Sequence, residues 1–244
     1  MTERSYEARD LEQIVSQYRA VRERVENACV KAGRSPSEVT LVGVTKTVDA
    51  TLINAALGDG LSAIGENRVQ EYLSKKDDLH LDGVQRFLIG HLQTNKVRAI
   101  VGQVDMIQSV DSLRLAEAID RVSAEKGIVT PILMEVNIGS EESKDGLEVA
   151  QLEELLWQIS DKKHISVQGL MTIPPISDTD AKKRHYFSKM RQLFIDIQSK
   201  KIDNVSMNVL SMGMSDDFEQ AIAEGSTMVR VGTAIFGRRF YNAP

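Results

Sequence analysis

Apolar residues recur at three- and four-residue spacing through the first part of the chain, and then the rhythm changes. Over 11–32, Leu11, Ile14, Val15, Tyr18, Val21, Val25 and Cys29 fall near one face of a predicted helix. Gly33 ends it, as a C-cap glycine does, and Ser35-Pro36-Ser37 marks a loop. From there, an apolar, β-branched run followed by an amphipathic segment repeats. The runs at 40–45, 63–66, 86–90, 106–110, 131–137, 167–173, 206–212 and 228–232 are eight strand candidates. Helices are predicted to begin near Asp49, Arg68, Thr94, Ser112, Val149, Asp180 and Ser215. A run such as Ile132-Leu133-Met134-Glu135-Val136-Asn137 is nearly continuously apolar, which suits a parallel strand covered on both faces. Strands alternating with helical segments indicate βαβ units. Eight such units predict an α/β protein with the (β/α)8 TIM-barrel fold, a single domain over 1–244, close to the usual barrel length of about 250 residues. A doubly wound open sheet is the alternative. Little sequence follows the eighth strand, so the long first helix is expected on the outside of the barrel, over the seam between the first and last strands.

In such a barrel, residues just after each strand converge on one face, where chemistry is done. Lys46 follows the first strand. An amine partly desolvated there can lose its proton and attack a carbonyl to form a Schiff base; the plain alternative is a lysine that extends its ammonium into solvent. The last two loops have the character of an anion site. Gly213 and Gly232 let backbone N–H groups approach an anion closely, and Ser211 and Thr233 add hydroxyl donors. Ser215 is expected to precede a helix, either as a simple N-cap or as part of an anion grip. Arg230 interrupts the apolar run Met228-Val229-Arg230-Val231-Gly232. It faces outward, pairs with a carboxylate in the barrel, or points to the barrel mouth, where a guanidinium donates to a ring nitrogen or an oxyanion. A reactive lysine, a phosphate grip and an inward arginine are together the parts of a pyridoxal phosphate site. Lys96 and Lys144 also follow strands and either contact a ligand or are solvated loop charges. Arg238-Arg239 suit an anionic partner.

Composition narrows the classes. A net charge of -5 argues against a nucleic-acid binder. Cys29 is the only cysteine, which excludes an internal disulfide and a cysteine-based metal site. It lies in the apolar phase of the first helix, where a packed, inert thiol is expected. The segment 1–10 has no apolar stretch of the secretory type, and no run approaches a membrane span. A cytoplasmic location is the expectation.

Seven segments together resemble one family: VGVTKT (42–47), IGENRVQE (64–71), FLIGHLQTNK (87–96), VNIGSEESKDGL (136–147), QGLMTIPP (168–175), LSMGMSDDFEQAI (210–222) and MVRVGTAIFG (228–237). Their order is that of the pyridoxal phosphate homeostasis proteins, related in fold to the N-terminal barrel of alanine racemase. The resemblance implies a Schiff base with pyridoxal 5'-phosphate at Lys46. It implies phosphate contacts from Ser211 and the Gly232 and Thr233 amides, with Gly213 nearby. It also implies Arg230 at the pyridine nitrogen and Asn67 near the cofactor. An arginine that keeps its proton leaves that nitrogen unprotonated and the ring a weaker electron sink.

Fold does not decide function. A racemase needs an opposing acid/base. None of Tyr6, Tyr18, Tyr72, Tyr186 and Tyr241 follows a strand in a way that supplies one. The expectation is a non-catalytic carrier in vitamin B6 homeostasis, monomeric, which holds the cofactor and delivers it to apo-enzymes. The alternatives are an amino-acid racemase of low activity using the same lysine, and an aldolase-like barrel in which Lys46 attacks a sugar phosphate directly.

Overall fold

The eight apolar runs pair, each parallel to its neighbours, into a closed ring. The computed structural model describes residues 6–139, 145–175 and 179–237; Ser143, Lys144, Arg238, Arg239 and Tyr241 lie outside the described residues. In chain order the strands are β1 (Thr40–Val44), β2 (Ala63–Glu66), β3 (Gln85–Leu88), β4 (Met106–Val110), β5 (Thr130–Asn137), β6 (Leu147–Glu148), β7 (Ile165–Met171), β8 (Val205–Ser211) and β9 (Met228–Val231). Around the ring they run β4-β3-β2-β1-β9-β8-β7-β5, and β4 pairs β5 to close it. The two-residue β6 is additional: it adds to the end of β5, with Val136 opposite Leu147. The fold is therefore the expected (β/α)8 barrel.

Period-two alternation separates two layers. Val42, Val44, Ala63, Phe87, Ile89 and Met228 form the small apolar filling of the barrel. Their strand neighbours Ile64, Leu88, Ile107, Ile132 and Val229 instead join the clusters that hold the helices on the outside. At β7, Gly169 permits a close approach that no other residue does: a Cβ there would lie 1.8 Å from the Val209 carbonyl oxygen.

Local chemistry sets the helix ends. Asp49 caps α2 (Ala50–Gly58) by accepting from the Thr51 N–H. Ser112 caps α5 (Leu113–Lys126), which Gly127 ends in a left-handed conformation at φ 66°. The remaining helices are α1 (Ala8–Lys31), α3 (Val69–Lys75), α4 (Val97–Ile100), α6 (Val149–Ile159), α7 (Asp180–Lys200), α8 (Phe218–Ala223) and α9 (Thr233–Phe236). Two starts differ from expectation. The segment at Thr94 opens with a 3-10 turn, Thr94–Lys96, before α4. The helix predicted from Ser215 begins at Phe218, because Asp217 folds back to accept the Met214 N–H at 2.6 Å. The Ser215 hydroxyl instead accepts from the Ala234 N–H at 3.4 Å, so Ser215 is not an N-cap.

Helix α1 packs against α2, α8 and α9. Its face of Ile14, Tyr18, Val21, Val25, Ala28 and Cys29 shares a core with Ile53, Phe218, Ile222, Val229 and Ile235. This is the seam between β1 and β9, the place expected for it. Among the described residues no helix is long and apolar enough to cross a membrane.

Candidate functional site

The inward positions of the strands carry the candidate chemistry. Val42 and Val44 lead by the same alternation to Lys46, and Ala63 and Gly65 lead to Asn67. Met228 leads to Arg230, and Val209 to Ser211. Because β8, β9, β1 and β2 are consecutive around the ring, all seven residues singled out from the sequence stand at four neighbouring strand ends. Lys96 lies apart, in the turn after β3.

Arg230 is buried inside the barrel, with 3 % of its surface exposed. Its Nη1 donates to Ser211 Oγ at 2.6 Å, and its Nη2 donates to the Thr172 carbonyl at 2.9 Å. Ser211 Oγ in turn donates to Gln108 Oε1 at 2.8 Å. Burial pushes the guanidinium down to about 10, with Glu135 and Asp217 opposing, so it stays charged at neutral pH. Among the described residues two of its five N–H donors are paired.

The Arg230 backbone N–H donates to the Gly213 carbonyl at 3.0 Å and ties the two anion-loop candidates together. Gly213 has φ 96°, and a Cβ there would meet Ala221 Cβ at 2.6 Å. Only glycine lets this loop lie flat on α8. Gly232 stands at the N-cap of α9 and Thr233 at its first position. The Gly232 carbonyl accepts from Ile235 and Phe236, while the Gly232 and Thr233 N–H groups donate no hydrogen bond among the described residues. They are available to an anion.

Lys46 is half-buried and makes no hydrogen bond or ion pair among the described residues. Asn67 is held against the next loop, where Gly90 comes so close that a Cβ would lie 2.5 Å from the Asn67 carbonyl oxygen. The Asn67 side-chain oxygen Oδ1 is buried and accepts no hydrogen bond among the described residues. A buried acceptor left unpaired is costly, so this atom fits a bound group with a donor.

Two residues of the barrel interior were not singled out from the sequence: Gln108 and Glu135. Glu135 interrupts an apolar strand, the signal that identified Arg230, and is 6 % exposed. Burial raises its carboxyl to about 7, with Arg230 opposing and Asp145 and Asp111 adding to the rise. The folded value lies above the ordinary 4.5. Stability tied to this group is therefore whole below about pH 4.5 and is lost as pH rises through 7. Glu135→Gln is expected to raise stability by up to about 3 kcal/mol at pH 8 and by little near pH 4.5. Urea unfolding at both pH values measures this; an equal gain at both would show that the charge is not the cause.

Comparison with known proteins agrees with this architecture. The model of the family described as alanine racemase, N-terminal domain, matches residues 10–239. A pyridoxal phosphate homeostasis protein of Aquifex aeolicus is 43 % identical over 221 residues, covering 91 % of this chain and 96 % of the relative. A crystal structure of a protein of unknown function from Bifidobacterium adolescentis superposes with a TM-score of 0.91 at 37 % identity, over 96 % of this chain and 98 % of the other. PipY of Synechococcus elongatus, solved with PLP bound, gives a TM-score of 0.78 at 35 % identity, over 89 % of this chain and all of PipY (100 %). By fold, by strand-end residues and by extent of match, this chain belongs to the alanine racemase N-terminal domain family and, within it, to the pyridoxal phosphate homeostasis proteins.

Proposed function

We propose that this chain binds pyridoxal 5'-phosphate as a Schiff base on Lys46 and serves in its homeostasis, keeping the free aldehyde low and handing the cofactor to apo-enzymes. The observation that carries the reading is the gathering of a half-buried amine, two undonated backbone amides and a buried guanidinium on four neighbouring strand ends. Relatives carry the same implication, since PipY is described with PLP bound. When bound, the cofactor supplies an aldehyde and a pyridine ring able to take up electron density.

The residues divide the work. The Gly232 and Thr233 amides take the phosphate, with Ser211 and Gly213 shaping that wall. Asn67 offers its unpaired oxygen to a donor on the ring. Arg230, oriented by Ser211 and the Thr172 carbonyl, donates to the ring nitrogen and keeps its proton. An unprotonated ring nitrogen leaves the ring a weaker electron sink than one paired with a carboxylate. Of the described tyrosines, Tyr18 and Tyr72 are buried in α1 and α3, Tyr186 packs on the outer core, and Tyr6 precedes α1. None stands at a strand end as an opposing base. We read the protein as a cytoplasmic monomer of one domain.

The test is an absorption spectrum of the purified protein before and after borohydride, with the reduced adduct mapped by mass spectrometry. A yellow protein fixed at Lys46 is expected. A colourless protein after incubation with the cofactor, or an adduct elsewhere, overturns the reading. Sustained exchange of amino-acid α-protons in deuterated water, abolished in Lys46→Ala, would replace the carrier with a racemase.

A further inference from the structure

The backbone around Lys46 is held from behind by charged side chains of α3. Lys75 Nζ donates to the Thr45 carbonyl at 2.7 Å, the peptide group just before Lys46. Glu71 Oε1 accepts from the Thr47 N–H, the peptide group just after it. Glu71 and Lys75 are one turn apart and are themselves paired at 3.3 Å. Lys75 also pairs with Glu66, which is 1 % exposed and accepts from Thr45 Oγ1 at 2.6 Å. Between the two clamped groups, Thr47 has φ 59°. A β-branched residue takes that left-handed conformation only under constraint. The Val48 N–H, donating to the Thr45 carbonyl at 3.1 Å, closes the same turn.

We propose that Glu71 and Lys75 are positioning residues for Lys46: by clamping the carbonyl before it and the N–H after it, they keep Thr47 left-handed and fix where the lysine's amine can reach. The proposal rests on the reading of Lys46 as the tether. Capture replaces the aldehyde C=O with a C=N bond to Nζ, and the aldehyde oxygen leaves as water with two of the ammonium protons. That step demands close placement of nitrogen against carbon, and small misplacements slow such reactions steeply. Holding the phosphate and ring demands nothing of this turn. Charge-assisted hydrogen bonds are the strong kind, and here they are set against the backbone's own preference. Without them Thr47 relaxes to an ordinary conformation and carries Lys46 with it.

The experiment compares two ligands. Pyridoxal phosphate reports capture, read as the rate of absorbance change and of borohydride-fixed label on Lys46. Pyridoxine phosphate, an alcohol that cannot form a C=N bond, reports the rest of the site. Glu71 is chosen because Lys75 variants would strand the buried Glu66 and risk unfolding. Glu71→Ala is expected to slow capture by about tenfold or more, with pyridoxine phosphate affinity within about twofold of wild type. Glu71→Gln keeps an oxygen for the Thr47 N–H and is expected to recover most of the rate. Thr47→Gly in the Glu71→Ala background is expected to recover part of it, since glycine adopts the left-handed turn unaided. Capture at the wild-type rate in Glu71→Ala overturns the proposal. So does equal loss of capture and pyridoxine phosphate binding, or a Glu71→Gln variant no faster than Glu71→Ala. A wild-type protein that fixes no label on Lys46 overturns the tether reading itself, a result distinct from all of these.

Discussion

Replacing Arg230 by alanine is expected to cost about 1–3 kcal/mol of stability at pH 8, as for buried acceptors left without their donor, and to weaken cofactor retention. The structural cost arises inside the barrel. Ser211 Oγ and the Thr172 carbonyl lose their donor, and Glu135 is left buried with Asp111 and Asp145 and without its opposing cation. The Glu135 carboxyl then rises further above its ordinary value. A raised carboxyl contributes stability at low pH that is lost as pH rises through the folded value, so the penalty in Arg230→Ala should shrink as pH falls below 7. Adding Glu135→Gln should restore part of the stability at pH 8 and little of the cofactor affinity. Arg230→Lys should not rescue either property, because one ammonium cannot reproduce two divergent hydrogen bonds. Urea unfolding at pH 6 and 8 measures the first effect, and fluorescence titration with pyridoxal phosphate the second. Unchanged affinity would remove Arg230 from the site, whatever happened to stability.

Lys46→Ala is expected to behave in the opposite way. Covalent retention should vanish and the yellow absorbance with it. Stability of the apo-protein should change by no more than about 0.5 kcal/mol, as for a side chain outside any packed or paired feature. The reason is that Lys46 is half-buried, makes no hydrogen bond or ion pair among the described residues, and is held by its backbone neighbours. The undonated Gly232 and Thr233 amides remain, so weak, reversible binding of the phosphate ester should persist. Calorimetry of the apo-proteins and dialysis after loading separate the two expectations. A large fall in melting temperature for apo Lys46→Ala would show that the lysine contributes to packing.

The two variants divide the site into a part that holds the barrel together and a part that does not. Arg230 was legible in the sequence because a charge inside an apolar strand needs a partner. Its partners were not legible. Ser211 lies 19 residues away, Thr172 58 away, and Gln108 103 away from Ser211. Only ring closure puts these inward positions side by side. Glu135 sent the same signal from its strand, and its significance depended equally on β5 and β9, which are not neighbours in the ring, both turning a charge into the barrel. The helix expected from Ser215 shows the limit for local chemistry. Serine and aspartate are both good caps, but Ser215 accepts from Ala234, 19 residues away, and Asp217 accepts from Met214, so neither side chain caps the helix, which begins at Phe218.

Strand identity came from the sequence because parallel strands covered on both faces must be apolar nearly throughout; their ends did not. β7 begins at Ile165, two residues before the apolar run suggests, because pairing starts where the Thr130 N–H meets the His164 carbonyl. Neighbouring strands, which hydropathy does not report, set that boundary. By itself, then, the sequence determined the barrel and the outer place of α1, and it singled out Lys46, Ser211, Gly213, Arg230, Gly232 and Thr233 from strand ends and local backbone chemistry, with Asn67 added by the family resemblance. Tertiary structure alone decided the Arg230–Ser211–Gln108 chain, the raised Glu135 carboxyl and the left-handed turn at Thr47. Each of these depends on groups brought together from distant segments: Thr47, at positive φ, donates its N–H to Glu71, 24 residues away.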